Sequence, residues 1–415
     1  MRSRRTTPTS STRCWCCSRH RSSAEEPRPE GIDHEPAAAP PHGCATRDHC
    51  YRRLEHVARR GHRGGRRDGG HRPGRAGPPT AADELTATPR VGLVLGAGGV
   101  AGGAFHAGVL AALHEATGWD PRHAGVLVGT SAGSIAAASL RAGLSCADML
   151  ARAQDLPLSA EGRAIMQAVG PYRGPPPLRV APRRRSAAQL AATVGRAAAR
   201  PFAAPPWALL TGLLPEGSVS TDMIVQGVGG LFTDAWPTEP LWICAVRQDD
   251  GRRVVFGQER SAGEGAEQCP PVAEAVAASC AIPGFFAPVS IAGTAYVDGG
   301  VHSPTNADVL TDPSLGLDLV LVSSPMSISG TAGRLAPSNA VRRWSSMLLS
   351  AEAVRLRRRG AHVMAFQPTA ADAQVMGSNA MDPSRRAAIA RQAYESTLRR
   401  LARADTQVRL ARLAG

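Results

Sequence analysis

Apolar residues in this chain cluster in short runs that alternate with glycine-rich turns and alanine-rich stretches. The runs at 91–95 and 125–128 are rich in valine and leucine, which is typical of buried strands. Alanine-rich stretches follow at 104–113 and 134–141, and these favour helices. A strand, a glycine turn, a helix, a second strand and a second helix, in that order, predict a parallel sheet covered by helices.

The later part of the chain continues this alternation. It predicts strands at 241–246, 253–256 and 317–322, a helix at 272–279 and a hairpin from 288–291 and 295–297. Two arginine-laced helices follow at 341–358 and 383–413, with apolar stripes such as Tyr394, Leu398 and Leu401. We expect the stripes to pack on the core, the alternative being a basic helix on a membrane surface. The expected fold class is therefore α/β, a mostly parallel central sheet flanked by helices.

Two segments interrupt this pattern. Residues 1–85 are rich in arginine, proline, serine and histidine without apolar periodicity, which predicts a disordered tail or a start assigned too far upstream. Residues 171–217 contain three consecutive prolines and three consecutive arginines, and they predict an insertion that acts as a cap or is only a surface excursion. The main domain should then span 91–310, with 311–415 forming a C-terminal strand and helices packed on it.

The net charge of +14 is carried by arginine, since the sequence contains no lysine. The part after the tail is only mildly basic, which is compatible with anionic surfaces and does not point to nucleic acid as a partner. No apolar run reaches the length of a membrane span, and the N-terminus lacks the apolar core of a signal peptide. We expect a cytoplasmic protein whose membrane contact, if any, is peripheral, and nothing indicates its oligomeric state.

The cysteines and the first glycine turn argue against metal and nucleotide sites. The five cysteines in the first fifty residues match no ordinary zinc spacing. The other four lie singly in apolar surroundings and are expected to be buried: Cys146, Cys244, Cys269 and Cys280. The turn at 96–101 imitates a dinucleotide fingerprint, but no acidic residue ends a second strand about twenty positions on. No metal and no cofactor are expected.

The second strand runs into its helix through Gly129-Thr130-Ser131-Ala132-Gly133, a G-x-S-x-G sequence. At a strand-to-helix junction this sequence is the nucleophile elbow, in which a sharp turn exposes the serine oxygen. Side chains at Gly129 or Gly133 would then collide with neighbouring backbone. The N-terminus of the following helix favours negative charge beside the serine. In a chain with 44 glycines the pentapeptide alone is weak evidence, and its context makes Ser131 the candidate nucleophile.

A serine nucleophile also needs oxyanion donors and a base. The glycine turn at 96–103 offers backbone N–H groups at a helix start, as an oxyanion hole requires. Asp298 follows a strand and precedes two glycines, a context that by itself usually marks a turn former. The histidines after the tail are His106, His114, His123, His302 and His362. Only the last two follow Asp298, as a triad in the order serine, acid, histidine would demand.

The three elements together resemble the patatin-like phospholipases, whose pattern is a glycine-rich turn, a G-x-S-x-G elbow and a distal D-G-[AG]. They stand here at 97–102, at 129–133 and at Asp298-Gly299-Gly300, and the segment 278–288 is similar as well. The resemblance covers about 91–310. It implies a Ser-Asp dyad in which Ser131 attacks an acyl carbonyl, Asp298 takes the proton and water releases the acyl-enzyme.

The resemblance also implies that the amides of Gly98, Gly99, Val100 and Ala101 hold the oxyanion. Two positions depart from the family pattern: Ala97 replaces the usual first glycine, and Ala101 stands where the family commonly has arginine or lysine. The missing cation should lower the rate or change the substrate preference, while the amides remain.

The expected function is a serine lipid acyl hydrolase of phospholipase A or esterase type, acting on a lipid or another acyl ester. Two alternatives stay open. One is an α/β-hydrolase-type esterase with a Ser-His-Asp triad through His302 or His362. The other is a catalytically weak lipid-binding protein, which the missing cation near Ala101 favours.

Overall fold

The structure, a computed structural model, describes residues 89–169, 217–232, 235–258, 270–330 and 340–410. All of these residues fall within one compact unit, Gly77–Gly415. The predicted tail at 1–85 and the predicted cap, except for Gly217, lie outside the described residues.

The described strands form one eight-stranded sheet. They are β1 (Val91–Leu95), β2 (Val126–Thr130), β3 (Leu241–Arg247), β4 (Arg253–Phe256), β5 (Val289–Ile291), β6 (Thr294–Asp298), β7 (Leu319–Ser323) and β8 (His362–Phe366). Their order is β5-β6-β3-β2-β1-β7-β8, with β4 also paired to β3. Strands β3, β2, β1, β7 and β8 run parallel. Strands β4 and β6 run antiparallel to β3, and β5 runs antiparallel to β6. The prediction of a mostly parallel sheet flanked by helices is confirmed.

The helices of the described residues cover both faces of this sheet. The α-helices are α1 (Gly99–Thr117), α2 (Ala132–Arg141), α3 (Cys146–Ala153), α4 (Ala160–Gln167), α5 (Asp222–Gly229), α6 (Val272–Ser279), α7 (Ala340–Arg358), α8 (Ala370–Met376), α9 (Arg386–Leu401) and α10 (Ala404–Leu410). Short 3-10 helices include Gly299–Val301 directly after β6, Ala307–Thr311, and Pro383–Arg385 directly before α9.

Successive side chains of the central strands point to opposite faces of the sheet, and both faces are buried. In β1, Leu93 and Leu95 join the core that contains Phe105 of α1, whereas Val94 joins the core that contains Leu349 of α7. A strand buried on both faces has no polar side, which is why these strands are continuous apolar runs in the sequence. The two cores fix the sheet between α1 and α7, and with it the carboxyl ends of the parallel strands.

Strand β7 is an interior strand of the sheet, paired with β1 on one side and with the edge strand β8 on the other. The segment 311–415 therefore completes the central sheet and does not only pack on a finished domain. The sequence analysis did not predict β8, the outer parallel strand, and its bounds for the remaining strands differ from the observed ones by at most two residues at each end.

The single helix predicted over 383–413 is wrong. A 3-10 turn at Pro383–Arg385 leads into α9, which ends at Leu401, and α10 begins at Ala404. Leu401 and Leu410 are both buried. In one straight helix these two positions, nine residues apart, would face opposite sides, because each residue turns the helix by about 100°. The break lets both leucines reach the core.

The apolar stripe of α9 faces the core that contains Phe105 of α1. Leu401 is buried, and Tyr394 and Leu398 are half-buried. Helices α1 and α9 approach so closely at Gly108 that a Cβ atom there would lie 2.4 Å from the Ala390 carbonyl oxygen. None of the helices in the described ranges is both long enough and apolar enough to cross a bilayer.

Candidate active site

Ser131 occupies a strained turn between β2 and α2. Its backbone has φ 54° and ψ −125°, a region that residues with a side chain rarely adopt, and it is only 3% exposed. The expected need for glycine on both sides is confirmed. A Cβ atom at Gly129 would lie 2.4 Å from the Ser134 Cα atom, and one at Gly133 would lie 1.9 Å from the Leu95 carbonyl oxygen. The elbow therefore exists because two backbone segments come close enough to exclude side chains.

Hydrogen bonds hold the elbow in this conformation. The Ser131 amide donates to the Ser279 hydroxyl oxygen at 2.9 Å, and that hydroxyl donates to the Cys244 carbonyl at 2.7 Å. The Ser134 hydroxyl donates to the Ser131 carbonyl at 2.6 Å. Sequence reasoning missed Ser279. The sequence could have indicated it, because a serine ends an otherwise alanine-rich helix within the segment that resembles the family.

The sheet register brings Asp298 to the level of Ser131. Thr130 is paired with Cys244, and Asp298 is paired with Ala245, the next residue of β3. Because β6 is antiparallel to β3, its carboxyl-terminal residue lies beside the point where β2 gives way to the elbow. The two residues are 167 positions apart in the sequence, and one intervening strand aligns them.

The carboxyl group of Asp298 lies close to the Ser131 side chain, which favours its ionised form. It also accepts the Gly300 amide at 2.7 Å, as the N-cap of the 3-10 helix that follows. Burial raises the pKa of Asp298 to about 6, against the opposing effects of the Ser131 side chain and the Gly300 amide. The carboxylate is therefore a stronger base than an exposed aspartate, yet it is ionised at neutral pH.

The glycine turn lies between β1 and α1. Gly99 has φ 59°, and a Cβ atom there would lie 2.8 Å from the Ala380 carbonyl oxygen, so both its conformation and its surroundings require glycine. The Gly96 amide donates to Ser323 at 3.0 Å. These contacts place the first amides of α1 at the carboxyl edge of the parallel strands, where a helix N-terminus favours negative charge.

One of the four amides expected to form the oxyanion hole already has an acceptor within the protein. The Ala101 amide, one of the four donors expected, donates to the Ala380 carbonyl at 2.9 Å, so its hydrogen is not directed at a substrate. The amides of Gly98, Gly99 and Val100 precede it at the start of α1, where a helix leaves its first N–H groups without intrahelical acceptors.

A cavity of about 490 Å³ opens beside Ser131. Gly99 and Val100 of the glycine turn line it together with Ser131, so nucleophile and candidate donors face one space. Most of the other lining residues are apolar, including Ala104, Ala107, Ile135, Leu144, Met149 and Phe286. This wall suits a hydrocarbon chain.

The histidines do not stand between serine and aspartate. His106 is fully buried, with its ring nitrogens 2.8 Å from the Ser323 hydroxyl and 2.8 Å from the Gly96 carbonyl oxygen, and burial lowers its pKa to about 4. Burial and the nearby Arg253 lower the pKa of His302 to about 4. His362 opens β8 at the amino ends of the parallel strands, opposite the elbow.

Three of the four cysteines expected to be buried are so: Cys146, Cys244 and Cys280 are buried thiols without disulfide bonds. Burial raises the pKa of Cys146 and of Cys244 to about 12, so neither is a thiolate near neutral pH. Cys269 lies outside the described residues. Across the described ranges, no group of three or more potential ligands is placed to hold a metal ion.

The elbow, the glycine turn and the buried carboxylate on a mostly parallel sheet are the elements of a candidate serine-nucleophile site. The sequence profile of the patatin-like phospholipases matches residues 93–311, more than half of the chain, and the chain belongs to this family. No curated protein matches the chain by sequence.

The solved structures that are similar to the chain include VipD and ExoU. VipD from Legionella pneumophila matches at 14% identity and a TM-score of 0.35 over 75% of this chain and 66% of its own. The type III effector protein ExoU matches at 18% identity and a TM-score of 0.28 over 76% of this chain and 53% of its own. The chain thus spans less than two thirds of either protein.

Proposed function

We propose that the protein is a serine lipid acyl hydrolase of phospholipase A or esterase type that works through a Ser131–Asp298 dyad. The observation that carries the proposal is the sheet register that brings the buried Asp298 carboxyl group beside the elbow at Ser131. Family membership supports the class of reaction, since patatin-like phospholipases are in general lipid acyl hydrolases.

In the proposed mechanism, Asp298 takes the hydroxyl proton as the Ser131 oxygen attacks the acyl carbonyl carbon. The carbonyl oxygen becomes an oxyanion, which the amides of Gly98, Gly99 and Val100 stabilise at the start of α1. When the intermediate collapses, the ester C–O bond breaks and the departing alcohol receives the proton from Asp298. Water, deprotonated by Asp298, then attacks the acyl-enzyme, and the bond between the acyl carbon and the Ser131 oxygen breaks. The Ser131 oxygen takes the proton back from Asp298, which releases the fatty acid and regenerates both side chains.

Two features of the site compensate for the weakness of a carboxylate base. Burial raises the pKa of Asp298 to about 6, which brings it closer to that of the serine hydroxyl. The helix N-terminus stabilises the negative charge that appears on the carbonyl oxygen in the transition state. An arginine or lysine at the Ala101 position is absent here, so the main-chain donors carry this stabilisation.

The apolar cavity supports the proposal that the acyl chain is the part of the substrate that enters the protein. Its apolar lining would exclude water from the acyl carbon next to Ser131. Arg152 and Arg386 also line it, and their charge suits the phosphate of a phospholipid. Because such esters reside in bilayers, the proposal includes contact with a membrane surface.

A fluorophosphonate probe tests the proposal. The purified protein should become labelled at Ser131 with loss of hydrolysis of p-nitrophenyl butyrate, and Ser131→Ala should prevent both labelling and turnover. His302→Gln and His362→Gln serve as controls and should retain turnover within about threefold, whereas in a Ser-His-Asp triad one of the two substitutions would abolish it. A folded wild-type protein that binds lipid vesicles but is neither labelled nor active would refute the enzymatic function and favour the lipid-binding one.

A further inference from the structure

One buried side chain connects the two catalytic segments. Asn306 is fully buried, and its Nδ2 group donates to the Thr130 hydroxyl oxygen at 3.1 Å and to the Gly299 carbonyl at 3.2 Å. Thr130 immediately precedes Ser131, and Gly299 immediately follows Asp298. One amide group thus binds the chain beside the nucleophile and the chain beside the base.

The charged environment fixes the orientation of this amide. Arg253 donates to the Asn306 Oδ1 atom at 3.2 Å, and a guanidinium group can only donate hydrogen bonds, so the oxygen must face it. Arg253 is itself held by the Asp308 carboxylate, with contacts of 2.6 and 3.1 Å. With Oδ1 anchored on one side, Nδ2 points towards the elbow and the aspartate segment.

The backbone of Asn306 is held as firmly as its side chain. It has φ 50° and ψ 29°, the left-handed conformation that asparagine tolerates better than most residues. Its amide donates to the Ser303 hydroxyl oxygen at 3.2 Å, and its Nδ2 group also contacts the Ser303 carbonyl at 2.6 Å. The Ser303 hydroxyl and the Ala307 amide both donate to the buried Glu352, at 2.6 and 3.1 Å. The loop around Asn306 is therefore anchored to α7, independently of the site.

We propose that Asn306 is a positioning residue that keeps Ser131 and Asp298 in hydrogen-bonding register. Ser131 has a strained backbone, and such a conformation persists only where its surroundings restrain it. Asn306 supplies one of these restraints and passes it to the opposite segment through the same amide. The inference rests on the proposed function, because it assigns a role within the Ser131–Asp298 dyad.

The first test compares two substitutions that both tolerate a left-handed backbone. Asn306→Gly removes the whole side chain, while Asn306→Asp keeps its size and an oxygen for Arg253 but loses the donor. With p-nitrophenyl butyrate and active sites counted by fluorophosphonate titration, we expect kcat per site to fall about 10- to 100-fold in both variants. KM should stay within about twofold, since Asn306 touches no substrate. In Asn306→Gly, water that enters the space should shift the acidic limb of kcat/KM below pH 6.

A second pair of variants tests the connection through Thr130. Thr130→Val removes the hydroxyl that accepts the Asn306 bond and should lower kcat about tenfold, whereas Thr130→Ser keeps it and should restore wild-type kcat within about twofold. The double variant Asn306→Gly/Thr130→Val should be no slower than Asn306→Gly alone, since both remove the same contact.

The control for lost stability is Leu356→Ala on α7, a buried leucine whose truncation should lower the melting temperature without changing kcat per site. The inference is overturned if the Asn306 variants behave like this control, with an unchanged acidic limb. If they do not fold, equal kcat values for Thr130→Val and Thr130→Ser overturn it. A wild type that the fluorophosphonate does not label would instead refute the proposed function.

Discussion

Replacing Asp298 with asparagine should remove activity and at the same time stabilise the protein. The side chain is only 5% exposed, and burial raises its pKa to about 6. Asparagine has nearly the same shape: its oxygen can accept the Gly300 amide and its nitrogen can donate to the Ser131 hydroxyl oxygen. The base is lost, but so is a charge that the folded protein must keep out of water.

The size of this effect depends on pH in a defined direction. An acid whose pKa is higher in the folded state is a cost to folding above that pKa, and the cost disappears below the unfolded value. With a folded pKa of about 6 and an ordinary value of 3.8, the cost is about 3 kcal/mol at pH 8 and about 0.5 kcal/mol at pH 4. Asp298→Asn should therefore gain about 3 kcal/mol over the wild type at pH 8 and little at pH 4.

Urea unfolding of wild type and variant at several pH values between 4 and 8 would measure this gain. Asp148→Asn is a control of opposite sign, because hydrogen bonds from Ser145 and Ser159 outweigh the burial of Asp148 and lower its pKa. That variant should lose stability at pH 8. An Asp298→Asn protein that is active, or that is no more stable than wild type at pH 8, would contradict the reasoning.

Three further outcomes are expected. The kcat/KM for a soluble ester should rise about tenfold per pH unit up to about pH 6 and then level off, since Asp298 must be ionised; an unchanged rate down to pH 4.5 would contradict this. Gly133→Ala should cost about 3 kcal/mol or more in urea unfolding, because its Cβ atom would lie 1.9 Å from a carbonyl oxygen, whereas Gly103→Ala, with nothing within 4 Å, should be neutral or stabilising. Ala107→Leu should fill part of the cavity and reduce turnover of long-chain esters at least about tenfold relative to butyrate, as a series of p-nitrophenyl esters would show; equal losses for all chain lengths would argue against an acyl site there.

The sequence was sufficient for four of the five parallel strands, all except β8, because each of these four carries its own signal. Strands β1 and β7 are buried on both faces, and a continuous apolar run between turns is recognisable without a partner. The break between α9 and α10 had no such signal, since it depends on where Leu401 and Leu410 meet the core. Local periodicity describes one helix face, whereas the packing of the whole molecule decides where the helix ends.

Some parts of the candidate site could likewise be predicted from the sequence, and others could not. The elbow at Ser131 could be predicted because its geometry requires glycines at fixed spacing, and the family resemblance supplied Asp298. The occupied Ala101 amide could not be predicted, because its acceptor, Ala380, lies 279 positions away in a loop without a motif. Asn306 was missed for a similar reason: only the folded chain brings Thr130 and Gly299 to the same side chain.

The contacts of the glycine turn indicate how long a polypeptide must be to form a working site. The family match ends at residue 311, yet Gly96 is held by Ser323 and Ala101 by Ala380. A shortened polypeptide that stopped at the end of the match would keep the nucleophile and the base but lose the interior strand β7, its neighbour β8 and both of these anchors. Activity should therefore disappear on such truncation even though the two reacting side chains survive, and the smallest autonomous unit must extend beyond residue 380.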